Sequence, residues 1–182
     1  MDKFFVNKDE VVLMVIDIQE RLVPVMKYGS QIINKTNILL TIANRLNIPV
    51  VVTQQYTKGL GKTVEEVASN FNQVTIYEKI TFSACTDQLV ADLKKIGRPK
   101  IIVTGMEAHV CVFQTVRDLL KIGYNVFVVS DAVCSRSKEN YLNALSLMQQ
   151  MGAVITNTES VFFDLMKEAG TPEFKELSRL IK

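Results

Sequence analysis

Three side chains in this sequence are of the types that carry out nucleophilic acyl transfer, and each comes shortly after a run of apolar residues. They are Asp17, Lys79 and Cys111. Cys111 also lies at the predicted start of a helix, where backbone N–H groups favour a thiolate over a thiol. Lys79 would lower the pKa of the thiol further, and Asp17 could accept its proton and return it to a leaving amine. Together the three residues predict a cysteine nucleophile with its acid–base partner.

The segments that must position these residues alternate between strands and helices. Six short apolar, β-branched runs predict buried strands, at residues 11–16, 50–53, 74–77, 100–104, 125–129 and 153–156. Apolar residues at helical spacing predict helices at 30–46, 86–96, 110–122 and 138–151, followed by two short C-terminal helices. This order is typical of an α/β, Rossmann-like three-layer sandwich with a six-stranded parallel sheet and helices on both faces. Because no linker or repeat interrupts it, we expect one domain over residues 1–182.

Parallel strands end at one edge of their sheet, and ligands bind at that edge where the strand order reverses. The three candidate catalytic residues are therefore expected to meet there. Other side chains that follow the strands are expected to line a small-molecule pocket: Gln19, Gln55, Tyr56, Phe82 and His109. His109 is the only histidine, and we interpret it as a pocket or turn residue rather than as a base.

Composition narrows the class of function. The 21 basic and 19 acidic side chains are spread evenly and leave a net charge of +2, so there is no basic stripe for nucleic acid. The apolar runs are far shorter than the roughly 18 residues that span a bilayer, and we expect a cytoplasmic protein without membrane contact. One histidine without clustered carboxylates predicts no metal site, and the missing G-x-G-x-x-G turn argues against a dinucleotide, so no cofactor is expected.

Each candidate residue also has a purely structural interpretation. A single cysteine in an α/β domain is more often a small core residue, and we keep that interpretation for Cys85 and Cys134. Asp17 could cap a turn, and Lys79 could be a solvated surface lysine. Two other functions stay open on the same fold: a non-catalytic binding or scaffold protein, and a thiol redox sensor in which Cys134 resolves an oxidised Cys111.

Three motifs resemble, in order and spacing, the isochorismatase-like cysteine hydrolases, a family that includes nicotinamidases and N-carbamoylsarcosine amidohydrolases. They are VIDIQ (15–19), EKITFSA (78–84) and GMEAHVCV (105–112). The sequence is most similar to the isochorismatase-domain-containing subfamily, through TQQYTKGLGKTVEEV (53–67), SDAVCSRS (130–137) and TPEFKELSRLIK (171–182). The resemblance extends from about residue 11 to the C-terminus, and the family fold it implies is the six-stranded parallel sheet predicted above.

The resemblance implies a catalytic triad of Asp17, Lys79 and Cys111. Such a triad would hydrolyse a C–N bond of an amide or ureido compound through a thioester intermediate. It also implies a cis peptide bond between Met106 and Glu107. This turn would aim the backbone N–H groups of Glu107 and Cys111 at the oxyanion of the tetrahedral intermediate.

Two departures from the family narrow the substrate. The nicotinamidase metal motif is replaced here by Thr53–Lys58, so we expect no metal and disfavour nicotinamide. Isochorismatases lack the nucleophilic cysteine, so Cys111 argues against isochorismate. We expect a small, neutral or weakly polar amide as substrate. The family's assembly implies a homo-oligomer, dimeric or larger, for which Phe162, Phe163 and Leu165 are candidate contacts.

Overall fold

The computed structural model describes residues 1–181 and contains a six-stranded sheet between two layers of helices. The strands are β1 (Val11–Ile16), β2 (Val50–Gln55), β3 (Thr75–Lys79), β4 (Lys100–Met106), β5 (Asn125–Cys134) and β6 (Val154–Thr156). Their order in the sheet is β3-β2-β1-β4-β5-β6, and every neighbouring pair is parallel. The predicted α/β three-layer fold is confirmed. Lys182, the last residue of the C-terminal motif, lies outside the described residues.

The helices divide between the two faces of the sheet. The α-helices of the described chain are α1 (Gly29–Arg45), α2 (Thr57–Leu60), α3 (Glu65–Ala68), α4 (Asp87–Ile96), α5 (Phe113–Lys121), α6 (Lys138–Gln150), α7 (Thr158–Met166) and α8 (Pro172–Leu177). Buried residues of α1 and α7 share one apolar core, and buried residues of α4, α5 and α6 share the other. No helix within residues 1–181 has the length and apolar content to cross a membrane.

β1 is the central element of both cores. All six of its side chains are buried. Its odd-numbered residues join the core beneath α1 and its even-numbered residues join the core beneath α5, since successive side chains of a strand point to opposite faces. Burial of each such side chain contributes about 1.5–3 kcal/mol. The chain leaves β1 towards β2 on one side and reaches β4 on the other, so the strand order reverses at β1.

β5 is longer than the sequence predicted. It extends to Cys134 instead of ending at Val129, because its pairing with β4 shifts just before Gly105 and then resumes. Inside the bulge, the Thr104 hydroxyl donates a hydrogen bond of 2.7 Å to the Ala132 carbonyl. The bulge therefore carries β5 further towards the edge at which the candidate catalytic residues lie.

The sequence predicted that a helix begins around Cys111, but the structure differs. Residues Ala108–Val112 form a π-helical turn, and α5 begins only at Phe113. The Val112 N–H donates to the Glu107 carbonyl at 3.2 Å, a reach of five residues rather than four. Cys111 thus lies within a widened turn and faces the core beneath α5.

The candidate contacts for an oligomer are mostly core residues. Phe162 and Leu165 lie on the buried side of α7. Phe163 is half-exposed, with its ring centroid 5.2 Å from that of Phe162 in an edge-on arrangement. Of the three, only Phe163 is therefore accessible to a partner in the described chain.

Candidate active site

A buried ion pair joins the ends of β1 and β3. The Lys79 ammonium lies 2.7 Å from Oδ2 of Asp17, and both side chains are at most 1% exposed. The other carboxylate oxygen of Asp17 accepts a 2.7 Å hydrogen bond from the Thr53 hydroxyl at the end of β2. Both oxygens of Asp17 are therefore held by fixed donors, as a buried carboxylate requires.

Lys79 organises the loop that follows β3. Besides Asp17, its ammonium donates to the side-chain oxygen of Gln55 at 2.7 Å. It also donates to the main-chain carbonyls of Thr81 and Phe82, at 3.2 and 3.0 Å. The alternative of a solvated surface lysine is wrong for Lys79, since the ammonium is enclosed by acceptors from β1, β2 and its own loop.

At this edge of the sheet, the backbones of β1 and β4 approach each other closely. Asp17 adopts a left-handed conformation with φ of +51°, which turns the chain sharply at the end of β1. Gly105 in β4 has φ of +125°, and a Cβ atom there would overlap the Ile16 carbonyl of β1. Glycine therefore allows β4 to approach β1 closely, immediately before the turn that carries Cys111.

The Cys111 thiol lies within reach of both charges of the ion pair. Burial, followed by the negative charge of Asp17, raises the pKa of Cys111 to about 12, and Lys79 only partly opposes this. The sequence-based expectation of a lowered pKa is wrong, because burial and the carboxylate outweigh the ammonium. The residue is consequently a protonated thiol near neutral pH.

Hydrogen bonds fix the turn of Cys111 against the loop after Lys79. The Thr115 hydroxyl donates to the Cys111 carbonyl at 2.6 Å and accepts from the Ala84 N–H at 2.8 Å. Thr115 is fully buried in α5. One threonine thus joins the two segments that bring the thiol and the ammonium together.

The peptide bond between Met106 and Glu107 is cis, as predicted. The Glu107 carboxylate turns towards the end of β5, where it accepts from the backbone N–H and Nε of Arg136, both at 3.1 Å. The Glu107 carbonyl accepts from the N–H of Val110 and of Val112. These bonds hold the whole turn in place while its carboxylate points to a neighbouring loop.

The predicted pocket residues separate into two groups. Gln19 is fully buried, and its amide donates to the carbonyls of Gln55 and Gly61 and accepts from the Gln55 N–H. Gln19 is therefore not a pocket residue, since both of its N–H donors are used within the protein. The Gln55 side chain bridges Lys79 and the Ile80 carbonyl, which makes it a support for Lys79.

The remaining three have more exposed surface. Tyr56 follows Gln55 directly in the chain and is 52% exposed. Phe82 lies in the loop whose carbonyls accept hydrogen bonds from Lys79, and it is 54% exposed. His109 is partly buried, and its Nδ1 lies 2.9 Å from the Ser135 hydroxyl. Two aromatic side chains are thus accessible to a ligand near the ion pair, while His109 is hydrogen-bonded to the β5 side of the turn.

Of the other two cysteines, Cys134 is buried and Cys85 is partly buried. Burial is the main cause that raises the pKa of Cys85 to about 11 and that of Cys134 to about 12. Thiols with such values form little thiolate near neutral pH and are poor targets for oxidation. Cys111 shares this raised pKa, so the values do not separate it from Cys134, and the redox-sensor hypothesis stays a prediction.

Within residues 1–181, no group of three or more His, Cys, Asp or Glu side chains is arranged to hold a metal ion. In the stretch Thr53–Lys58, the Gln55 side chain accepts a hydrogen bond from Lys79, and the Tyr56 side chain is half-exposed at the surface.

Sequence reasoning missed two supporting residues, Thr53 and Thr115. The parallel register of β1 and β2 pairs Ile16 with Thr53, so a register argument would have placed this hydroxyl beside Asp17. Thr115 lies four residues after Cys111, one helical turn away, which is the spacing from which a hydroxyl can reach a carbonyl. The spacing of Thr115 is readable from the sequence, whereas the register that places Thr53 is known only from the fold.

Comparisons with known proteins agree with this fold. The isochorismatase domain profile matches residues 11–160. A "Secreted isochorismatase effector Isc1" of Phytophthora sojae is 42% identical over 94% of this chain and 84% of its own length. "Isochorismatase domain-containing protein 2" of Danio rerio is 37% identical over 93% of this chain and 86% of its own. The solved "MAR1 Ribonuclease" of Caenorhabditis elegans is 40% identical, with a TM-score of 0.93 over 97% of this chain and 92% of its own. The chain belongs to the isochorismatase domain family.

Proposed function

We propose that the protein is a metal-independent cysteine hydrolase that cleaves a C–N bond, amide or ureido, of a small molecule. Asp17, Lys79 and Cys111 are its catalytic residues in this proposal. The observation that carries it is the enclosed Asp17–Lys79 pair, at 2.7 Å, beside a buried thiol whose pKa responds to both charges. A hydrolase role agrees with membership of the family.

The proposed reaction begins with proton transfer. Asp17 takes the proton of the Cys111 thiol as the sulfur attacks the substrate carbonyl, and a C–S bond forms. The carbonyl oxygen becomes an oxyanion, for which the backbone N–H groups of Glu107 and Cys111 are the proposed donors. Asp17 then gives its proton to the leaving nitrogen, the C–N bond breaks, and a thioester remains.

Water completes the cycle. Asp17 accepts a proton from the water that attacks the thioester, and the carboxylic acid leaves as the thiol is reprotonated. The Lys79 ammonium offsets the negative charge that moves between sulfur, carboxylate and oxyanion. The high pKa of Cys111 fits this scheme, since the proton leaves during attack and the resting enzyme stores no thiolate.

The proposed substrate site lies against Tyr56, Phe82 and His109, beside the segments that enclose the pair. Two half-exposed aromatic rings suit a small, largely neutral molecule. We retain as proposals a homo-oligomeric assembly and a cytoplasmic location. The relative from Phytophthora sojae is named as a secreted protein, and this location is a property of that relative alone.

Two competing activities come from the names of relatives. One is hydrolysis of isochorismate, a vinyl ether, and the other is cleavage of RNA. Neither bond offers a carbonyl carbon for attack by Cys111, and the evenly distributed charge of the chain favours small molecules over RNA. Both are included as substrates in the test.

The test combines turnover with capture of the intermediate. Ammonia or amine release is measured for benzamide, N-carbamoylglycine and related amides, and the reaction is quenched for peptide mass spectrometry. The proposal predicts an acyl adduct on the peptide with Cys111, and loss of turnover in Cys111→Ala. Cys134→Ala is the matched control and should retain turnover. Cleavage of isochorismate or RNA that persists in Cys111→Ala, without any amide turnover in the wild type, would contradict the proposal.

A further inference from the structure

A second concave site lies beside the catalytic residues but contains none of them. It is a cavity of about 480 Å³ at the carboxyl end of β5, between the start of α1 and the start of α6. This volume is within the range of small-molecule sites. Its wall includes Ser135 and Arg136, which hydrogen-bond to His109 and Glu107 of the Cys111 turn.

The floor of this cavity is neutral and the mouth is cationic. Val133, Cys134 and Ser135 form part of the lining and are all buried. The aromatic rings of Tyr28 and Tyr141 also line it. The side chains of Lys27, Arg136 and Lys138 line the same cavity and are exposed. A ligand would therefore meet apolar and aromatic surface inside and positive charge at the entrance.

The acidic side chain at the cavity does not cancel this charge. Asp131 accepts hydrogen bonds from both the N–H and the hydroxyl of Thr158, and its other oxygen lies 3.6 Å from Lys35 outside the cavity. Within residues 1–181, neither Lys27 nor Lys138 lies within 4 Å of a carboxylate. Two ammonium groups at the mouth thus keep their charge uncompensated.

Arg136 adds a positioned guanidinium. Its Nε and backbone N–H both donate to the Glu107 carboxylate, an ion pair that partly offsets its charge and fixes the guanidinium at the rim. The terminal nitrogens of Arg136 make no hydrogen bond to another group in the described part of the chain. Guanidinium groups match carboxylate and phosphate oxygens in geometry, so this end of the side chain can receive an anion.

We propose that this cavity binds a small organic anion, a carboxylate or a phosphate monoester, with an apolar or aromatic body. The body rests against Tyr28, Tyr141 and the buried floor, and the anionic group meets Lys27, Arg136 and Lys138. The site is separate from the hydrolytic one. It does not depend on the proposed reaction, because binding requires no turnover.

The test is isothermal titration calorimetry of the intact protein at constant ionic strength. Phenyl phosphate and benzoate are the anionic probes, and benzyl alcohol is the neutral probe with the same ring. We expect saturable binding of at least one anion, and the tighter of the two identifies the preferred anionic group. The double variant Lys27→Met/Lys138→Met should weaken that affinity about tenfold, since each exposed charge contributes modestly.

The matched control is Lys94→Met/Lys121→Met, which removes two exposed lysines outside the cavity. This control should bind the anion as the wild type does. Equal affinity for benzyl alcohol, equal weakening in the two double variants, or absence of binding by both anions at millimolar concentration would overturn the proposal. Each of these results would leave the hydrolase proposal standing, because amide turnover is measured separately.

Discussion

Lys79 and Lys100 are both buried lysines of the central sheet, but they lie at its opposite edges. Lys79 ends β3 at the carboxyl edge, and Lys100 begins β4 at the amino edge. Each side chain is at most 2% exposed. The Lys100 ammonium contacts Glu10 at 2.8 Å and the carbonyls of Asp2 and Phe5 at 3.3 and 3.1 Å. Both positions satisfy the general rule that a buried charge is paired and hydrogen-bonded.

The partners distinguish the two sites. The Glu10 side chain is 41% exposed, so the charge of Lys100 is balanced from the solvent side, and the lysine ties the N-terminal segment to β4. The partner of Lys79 is completely enclosed and lies beside a thiol. A buried lysine therefore does not by itself mark a functional site. Lys79 differs from Lys100 in its enclosed carboxylate partner and in the nearby thiol, and the proposed catalytic role rests on these two features.

The largest expected difference between the two lysines is in activity. Lys79→Met should lower kcat/KM for an amide substrate by about a thousandfold or more, because an uncompensated charge then accompanies each proton transfer. Lys100→Met should leave kcat/KM within about twofold. Steady-state kinetics on the substrate found in the panel gives both values. Equal losses in the two variants would remove the distinction drawn between them.

Stability should also separate the two edges. Lys79→Met leaves Asp17 charged and enclosed, and loss of one partner of a buried pair costs about 3–5 kcal/mol of unfolding free energy. Lys100→Met leaves Glu10 able to hydrate, and we expect a loss of about 1–2 kcal/mol from the broken hydrogen bonds. Urea unfolding of both variants measures the difference. A larger loss for Lys100→Met would mean that the amino edge is the more constrained one.

Two glycines extend the comparison to the backbone. Gly105→Ala should lose about 3 kcal/mol or more, since it combines a positive φ with overlap of the Ile16 carbonyl. Gly123 precedes β5 at the amino edge, with φ of +97°, and a Cβ atom there would meet no heavy atom within 4 Å. Gly123→Ala should cost only about 1 kcal/mol, from the conformation alone. Urea unfolding again provides the values, and equal losses would mean that the close approach of β4 to β1 carries no constraint.

The sequence predicted the sheet well because its central strands β1, β2 and β4 are covered on both faces and contain apolar, mostly β-branched runs. It also brought Asp17, Lys79 and Cys111 to one edge, since parallel strands end together. The pKa of Cys111 was predicted in the wrong direction, because burial and the proximity of Asp17 depend on tertiary packing. Gln19 was misassigned for a similar reason: only the folded chain reveals that its amide binds the backbone of Gln55 and Gly61.

The most direct test of the triad is the rate of Cys111 alkylation by iodoacetamide across pH, followed by peptide mass spectrometry. Asp17 raises the pKa of Cys111 and Lys79 lowers it. Asp17→Asn should therefore lower this pKa and speed alkylation severalfold near pH 8, whereas Lys79→Met should slow it. Cys134 owes its raised pKa to burial and Glu107, so it is an internal control that should not change. Opposite changes at Cys111 alone are the predicted result. Identical profiles for Cys111 in all three proteins would contradict a thiol coupled to the Asp17–Lys79 pair.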